Sequence, residues 1–322
     1  MTKLIALIVE DDQFFALPAW HRAITLMERR GLLVTHVAVV PQSTVPYGGI
    51  LRSLWYLGVF GVRNTLRMAM FSALERKRRQ QEPRTWNEMA HAHGLVVKHI
   101  EDHNSPEMKE FLRSSRCEIL HTMGSVLLSP EVLDIPRMGV IAHHPSLLPS
   151  CRGVFPYLRA RLNGQPVGQS FQKLSAREPM SGPLLAQCEA SPVATRSMLA
   201  FHVWMARRYP ELALDATQRF LAGRSLPVRD GIEASYGGLP ARRDRQRLEE
   251  CGGHISLWAD LRLTVSQRDK VAALEPVEPA VTGNTAYQFP DVLPLGVNES
   301  GGVMGKVIPM QRRRRPATAR EA

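Results

Sequence analysis

Leu4 to Val9 is an unbroken apolar run that ends in Glu10, Asp11 and Asp12. A short run of Ile, Leu and Val predicts a strand buried on both faces, as parallel strands are. Residues 15–30 follow with apolar positions at helical spacing, and Val34 to Val40 predicts a second strand. The unit then recurs. Trp86 to His93 reads as a helix punctuated by Gly94, and Leu95 to Ile100 as a strand. Asn104-Ser105-Pro106-Glu107 supplies a cap and an early proline for the next helix. Glu118 to Met123 is a strand, Ser129-Pro130-Glu131 opens a short helix, and Gly139 to Ala142 is a strand again.

Strands and helices alternating at these lengths predict an α/β fold, a Rossmann-like, mostly parallel sheet with helices on both faces. Between the second and third strands, Gly48 to Leu74 is strongly apolar but interrupted by Arg52, Arg63 and Arg67. That density of charge argues against a membrane span and predicts a helical hairpin covering the sheet. After Cys188 the pattern changes. Ala194 to Leu221 is a long helical stretch closed by Gly223, and residues 226–264 are basic, polar and rich in turns. From Ser266 onward Pro, Gly, Val and Glu alternate without period. The chain thus divides into an α/β domain over 1–190, a smaller helical and loop extension over 191–265, and an extended, partly disordered tail over 266–322.

Composition narrows the function classes. No early segment combines a basic start, an apolar core and a small-residue cleavage site, which predicts a cytoplasmic protein. Cys117, Cys151, Cys188 and Cys251 are scattered, with no Cys-x-x-Cys pair, so neither a zinc site nor a disulfide framework is expected. The formal charge of +11 favours anionic partners. Part of that charge sits in the Arg312–Arg315 tail, and nucleic acid ranks low as a partner. No GxGxxG follows the first strand and no Walker A sequence is present, so a glycine-rich nucleotide loop is not indicated. LIVEDD resembles the opening of a phosphoacceptor receiver domain, where paired acids hold Mg²⁺. The aspartate and lysine that such chemistry needs on later strands are missing, which leaves these acids as a strand end or helix N-terminus.

The informative segment runs from Gly139 to Gln187. An apolar strand ends in His143-His144, and Pro145 stops it. The loop Ser146 to Gly153 then lies at a strand carboxyl end, where open α/β sheets place ligands. Pro156 to Leu162 is a helix, Asn163-Gly164 a turn, and Val167 to Leu174 another strand. HPSLLP (His144–Pro149), Arg152-Gly153, the Asn-Gly turn and SGPLLAQ (Ser181–Gln187) together resemble the tetrahydrofolate-dependent formyltransferases. GIEASYGGLP (Gly231–Pro240) and the basic stretch after it resemble the tails of stand-alone members.

The resemblance implies transfer of a formyl group from 10-formyltetrahydrofolate to an amine, without a metal. In that family a strand-end Asn and His and an Asp before Thr-Gly-Pro stabilise the oxyanion and move the proton. Carried across, the histidine is His144, the asparagine falls on Ala142, and the aspartate on Met180 (or Pro179). Gln172 stands where the preceding strand usually has a histidine. Glu178 is the one nearby carboxylate able to stand in for the aspartate. Ser146, Leu147, Arg152, Gly153, Met123 and Gly124 are the implied binding positions. Three readings follow: a one-carbon transferase acting on a small amine with substitute catalytic groups, a pseudoenzyme relative that still binds folate or a partner, and a tRNA-directed enzyme. An amino sugar nucleotide or an amino-acid derivative is the acceptor class favoured here.

Overall fold

The computed structural model describes residues 2–265, apart from 43, 46, 80–81, 125–126, 177–181 and 229–232. Strand β1 (Lys3–Glu10) alternates its side chains between two cores. Ile5, Leu7 and Val9 point into one buried cluster, Ala6 and Ile8 into the other, and all five are fully buried. That two-sided burial explains the unbroken apolar run, since neither face meets water.

Helix α1 (Ala16–Glu28) begins where Asp12 accepts hydrogen bonds from the Phe14 and Phe15 amides at 2.8 and 3.0 Å. Strand β2 (Leu32–Val40) returns parallel to β1. Two helices follow, α2 (Gly49–Phe60) and α3 (Val62–Arg78). Helix α4 (Trp86–His93) starts on the Thr85 hydroxyl, which accepts from the Glu88 amide, and ends on Gly94 in the left-handed region. Then come β3 (Val96–His99), α5 (Pro106–Ser115), β4 (Ile119–Met123), α6 (Pro130–Leu133) and β5 (Gly139–His144). Ser105 caps α5 by accepting from the Met108 amide at 3.2 Å. The rest comprises β6 (Arg152–Gly153), α7 (Pro156–Leu162), β7 (Gly168–Leu174), β8 (Leu184–Glu189), α8 (Met198–Leu221), β9 (Tyr236–Gly237), α9 (Arg242–Glu250) and a 3-10 turn at Trp258–Arg262.

The main sheet has the order β3-β2-β1-β4-β5-β7-β8. Its first five strands are parallel, and β7 and β8 each run antiparallel to the strand before them in that order. Helices cover both faces, α1 and α8 on one and α5 and α6 on the other. This is the Rossmann-like α/β arrangement, with the strand order reversing between β1 and β4.

Helix α8 is bonded into the fold in an unusual way. Pro210 lies inside it and has no amide hydrogen to offer the Ala206 carbonyl. Arg22 of α1 donates to that carbonyl instead, at 3.1 Å. Tyr209 and Ala213 of α8 join Trp20 and Ile24 of α1 in the same fully buried cluster.

The α2–α3 hairpin covers the sheet only in part: Phe71 of α3 joins the core cluster of β1 and β2, whereas α2 packs elsewhere. Val59 and Phe60 pack instead with Tyr157 of α7, Phe201 of α8 and Leu248 of α9. Ile50, Leu54, Val62 and Leu66 remain exposed. Glu75, fully buried near the end of α3, accepts from the Thr264 hydroxyl at 3.2 Å and the Val265 amide at 3.0 Å. Arg79 lies 3.8 Å from the same carboxylate and donates to the Gln13 carbonyl. Residues 1–279 make one compact unit and 280–322 a second, which lies outside the described residues with the Arg312–Arg315 tail. Among the described residues no helix is long and apolar enough to cross a membrane, and no cluster of His, Cys, Asp and Glu could hold a metal ion.

Candidate active site

A cavity of about 500 Å³ opens at the carboxyl ends of β1, β4 and β5, beside the point where the strand order reverses. Cavities of this size hold ordinary small-molecule ligands, and the position is the one expected for an open α/β sheet.

The HPSLLP loop is built from the inside. Ser146 donates to the Ser150 carbonyl at 2.7 Å, and Ser150 donates to the Leu147 carbonyl at 2.8 Å. Ser170 of β7 reaches across, donating to the Ser146 carbonyl and accepting from the Leu148 amide. Gln187 of β8 donates to the Leu148 carbonyl at 3.1 Å. Further along, β6 pairs with β9, and the Ser235 hydroxyl accepts from the Cys151 amide at 2.8 Å. Gly153 has a φ of +94°, and a β-carbon there would collide with the Gly237 carbonyl. Only glycine permits that approach.

His144 ends β5 at the cavity wall, and its Nε2 lies 3.3 Å from the Cys151 carbonyl. A carbonyl only accepts, so Nε2 carries the proton and the neutral ring keeps Nδ1 as a basic nitrogen. Burial holds its pKa down at about 4, outweighing the carbonyl contact that favours the charged form. The imidazole is therefore neutral at physiological pH, the state a proton acceptor needs. His143 points the other way along the strand. It bonds Gln169 at 3.0 Å and packs on the rings of Phe171 and Tyr209, and burial lowers its pKa to about 3.

Met123, Gly124, Ala142, His144, Arg152 and Gly153 all line the cavity. A β-carbon on Gly124, whose φ is +138°, would strike the Glu10 side chain, so this turn brings the ends of β4 and β1 together. Burial lowers the pKa of Arg152. Ser146 and Leu147, by contrast, are buried within the loop. Glu178, Pro179 and Met180 lie outside the described residues.

Other wall residues are not suggested by the motif. Asp12 after β1, Tyr56 of α2 and His202 of α8 all reach the cavity. Burial raises the pKa of Asp12 despite its three backbone hydrogen bonds. Gln172 of β7 also lines the wall. Its place in the strand where the resemblance expects a histidine was the signal in the sequence that pointed to it.

No protein-family model matches the chain. Among curated proteins it is similar to the methionyl-tRNA formyltransferase of Dehalococcoides mccartyi (strain CBDB1), 35% identical over 114 residues, which is 35% of this chain and 33% of that protein. It is likewise similar to the methionyl-tRNA formyltransferase of Thermotoga maritima, 27% identical over 169 residues, 52% of this chain and 54% of that one. The chain thus spans a third to about half the length of the curated relatives it matches. Among solved structures, glycinamide ribonucleotide transformylase 1 from Symbiobacterium toebii overlaps 74% of this chain and 94% of its own, at 15% identity and a TM-score of 0.48. A sugar N-formyltransferase from Shewanella sp FDAARGOS_354 overlaps 76% and 79%, at 15% identity and a TM-score of 0.46. Over the stretch it shares with the curated relatives, the chain is similar to methionyl-tRNA formyltransferases.

Proposed function

We propose that this protein transfers a formyl group from 10-formyltetrahydrofolate to the amine of a small substrate, an amino sugar nucleotide or an amino-acid derivative. The observation that carries this reading is the neutral His144 imidazole at the carboxyl end of β5, on the wall of a ligand-sized cavity. In the transfer the amine nitrogen bonds to the formyl carbon and the carbonyl pair moves onto oxygen. The amine proton passes to the free ring nitrogen of His144 and on to N10 of the folate, and the electron pair returns from oxygen as the bond to N10 breaks, leaving N10–H tetrahydrofolate and the formylated amine.

Ala142 and Met180 set the limit on rate. Losing one oxyanion donor costs roughly 10²–10³ in turnover. We therefore expect slow transfer by the natural chain and faster transfer by the Ala142→Asn, Met180→Asp double variant. An unaltered rate in that variant would count against the degraded-site reading, and so would an ordinary rate in the parent.

Calorimetric titration with 5-formyltetrahydrofolate tests the donor directly. Micromolar binding supports the proposal, and no binding refutes it. Transfer to methionyl-tRNA is the second reading, favoured by the curated relatives, which are methionyl-tRNA formyltransferases. Salt-dependent binding of methionyl-tRNA would select it.

A further inference from the structure

Strands β5 and β7 pair antiparallel, with Ala142 directly opposite Gln172. Residues directly opposite in such a pair point to the same face, with β-carbons about 4.5–5.5 Å apart. His144, two residues beyond Ala142, also faces that side. The short Ala142 side chain leaves the face open at this point, with the Gln172 carboxamide on one neighbouring strand and the Thr122 hydroxyl on the other as the polar groups beside it.

Two further observations single out Gln172. Its residue is only 8% exposed, yet its Oε1 is buried without a hydrogen-bond partner among the described residues. A buried amide oxygen left in that state is costly, so its retention calls for a reason. In addition, the β7–β8 register shifts between Phe171 and Gln172. An irregularity of that kind re-aims a side chain and recurs beside functional sites. The next strand pair therefore turns an amide whose oxygen lacks a partner onto the cavity wall where β5 offers only a methyl group.

We propose that the Gln172 carboxamide hydrogen-bonds the carbonyl oxygen of the one-carbon group in this cavity, opposite Ala142 and on the same face as His144. The proposal rests on the formyl-transfer reading and adds to it the residue that recognises the carbonyl. The amide Nε2 donates to that oxygen, and its own Oε1 gains a partner when the ligand's amine or an ordered water enters.

The test compares two probes that differ only in the formyl group, 10-formylfolic acid and folic acid, by calorimetry on the full chain. One net hydrogen bond to the formyl oxygen predicts that the natural protein prefers the formylated probe about 2- to 12-fold. Gln172→Leu is expected to bind both equally, and Gln172→His, which keeps a donor, to restore the preference. Replacing an amide whose buried oxygen has no partner with a residue of similar volume should leave the melting temperature unchanged or higher. Equal preference in the natural protein and the Leu variant overturns the proposal, as does the absence of any preference in the natural protein. If neither probe binds, the formyl-transfer reading itself falls, so the two failures are distinct.

Discussion

Acidification should unfold this protein well above the pH at which its carboxylates titrate. His121 and His143 are buried, and desolvation pushes both pKa values to about 3, from an ordinary 6.5. In the unfolded chain each titrates near 6.5, so the unfolded state binds more protons at every pH between those limits. Stability is therefore intact above pH 6.5 and falls as the pH drops below it. At about pH 5, roughly 1.5 units below the unfolded pKa, each ring costs about 2 kcal/mol at 1.36 kcal/mol per unit. That figure is insensitive to the folded value, since any folded pKa well below 5 gives the same cost. Together the two rings remove about 4 kcal/mol, a large share of the 5–15 kcal/mol typical of a domain. His144 acts in the same direction, and the raised pKa of Asp12 in the opposite one. Urea unfolding followed by circular dichroism at about pH 7.5 and pH 5 reads the difference directly. His143→Gln should remove about 2 kcal/mol of it, one ring's share, because glutamine keeps a polar contact to Gln169 but cannot titrate. A midpoint that stays constant between the two pH values would show that these rings are not held neutral by burial.

Three other substitutions have expected outcomes. Glu75→Ala leaves Arg79 buried beside an empty site and should cost about 3–5 kcal/mol, and a loss under about 1 kcal/mol in urea would contradict the pairing. Gly153→Ala forces a β-carbon against the Gly237 carbonyl; it should open the β6–β9 pair, read as faster amide exchange at Arg152 and Val154, and unchanged exchange would refute the contact. Tyr157→Phe removes the 2.8 Å bond to the Thr195 carbonyl and should cost about 1–2 kcal/mol, with wild-type stability as the result that denies a buried, unsatisfied carbonyl.

Much of the sheet was legible because two-sided burial leaves an unmistakable trace. β1, β2, β4 and β5 are apolar runs, and α4, α5 and α7 begin at caps or prolines that the sequence displays openly. β8 escaped notice because Leu184–Glu189 is short and half polar, its outer residues meeting solvent at a sheet edge. The hairpin was placed only in part for a related reason. A stripe of apolar residues predicts that a helix is amphipathic but not which surface receives it, and α2 gives Phe60 to α7 and α8 while leaving Ile50 and Leu54 exposed. At the site, His144 was legible through HPSLLP. Gln172 was marked there only as a departure from the resemblance; its place opposite Ala142 on another strand came from the structure.

The carboxylate of Glu75 has a consequence for how the chain is made. Its hydrogen-bond donors Thr264 and Val265 come 189 and 190 residues later. At about 5–20 residues per second, the ribosome supplies them roughly 10–40 s after α3 emerges. Until then α3 carries an anion whose burial site does not yet exist, so its final docking has to await nearly the whole described chain. A nascent chain stalled anywhere in that interval would present the apolar side of α3 to the surrounding cell, and chaperone demand should peak there rather than at the early strands.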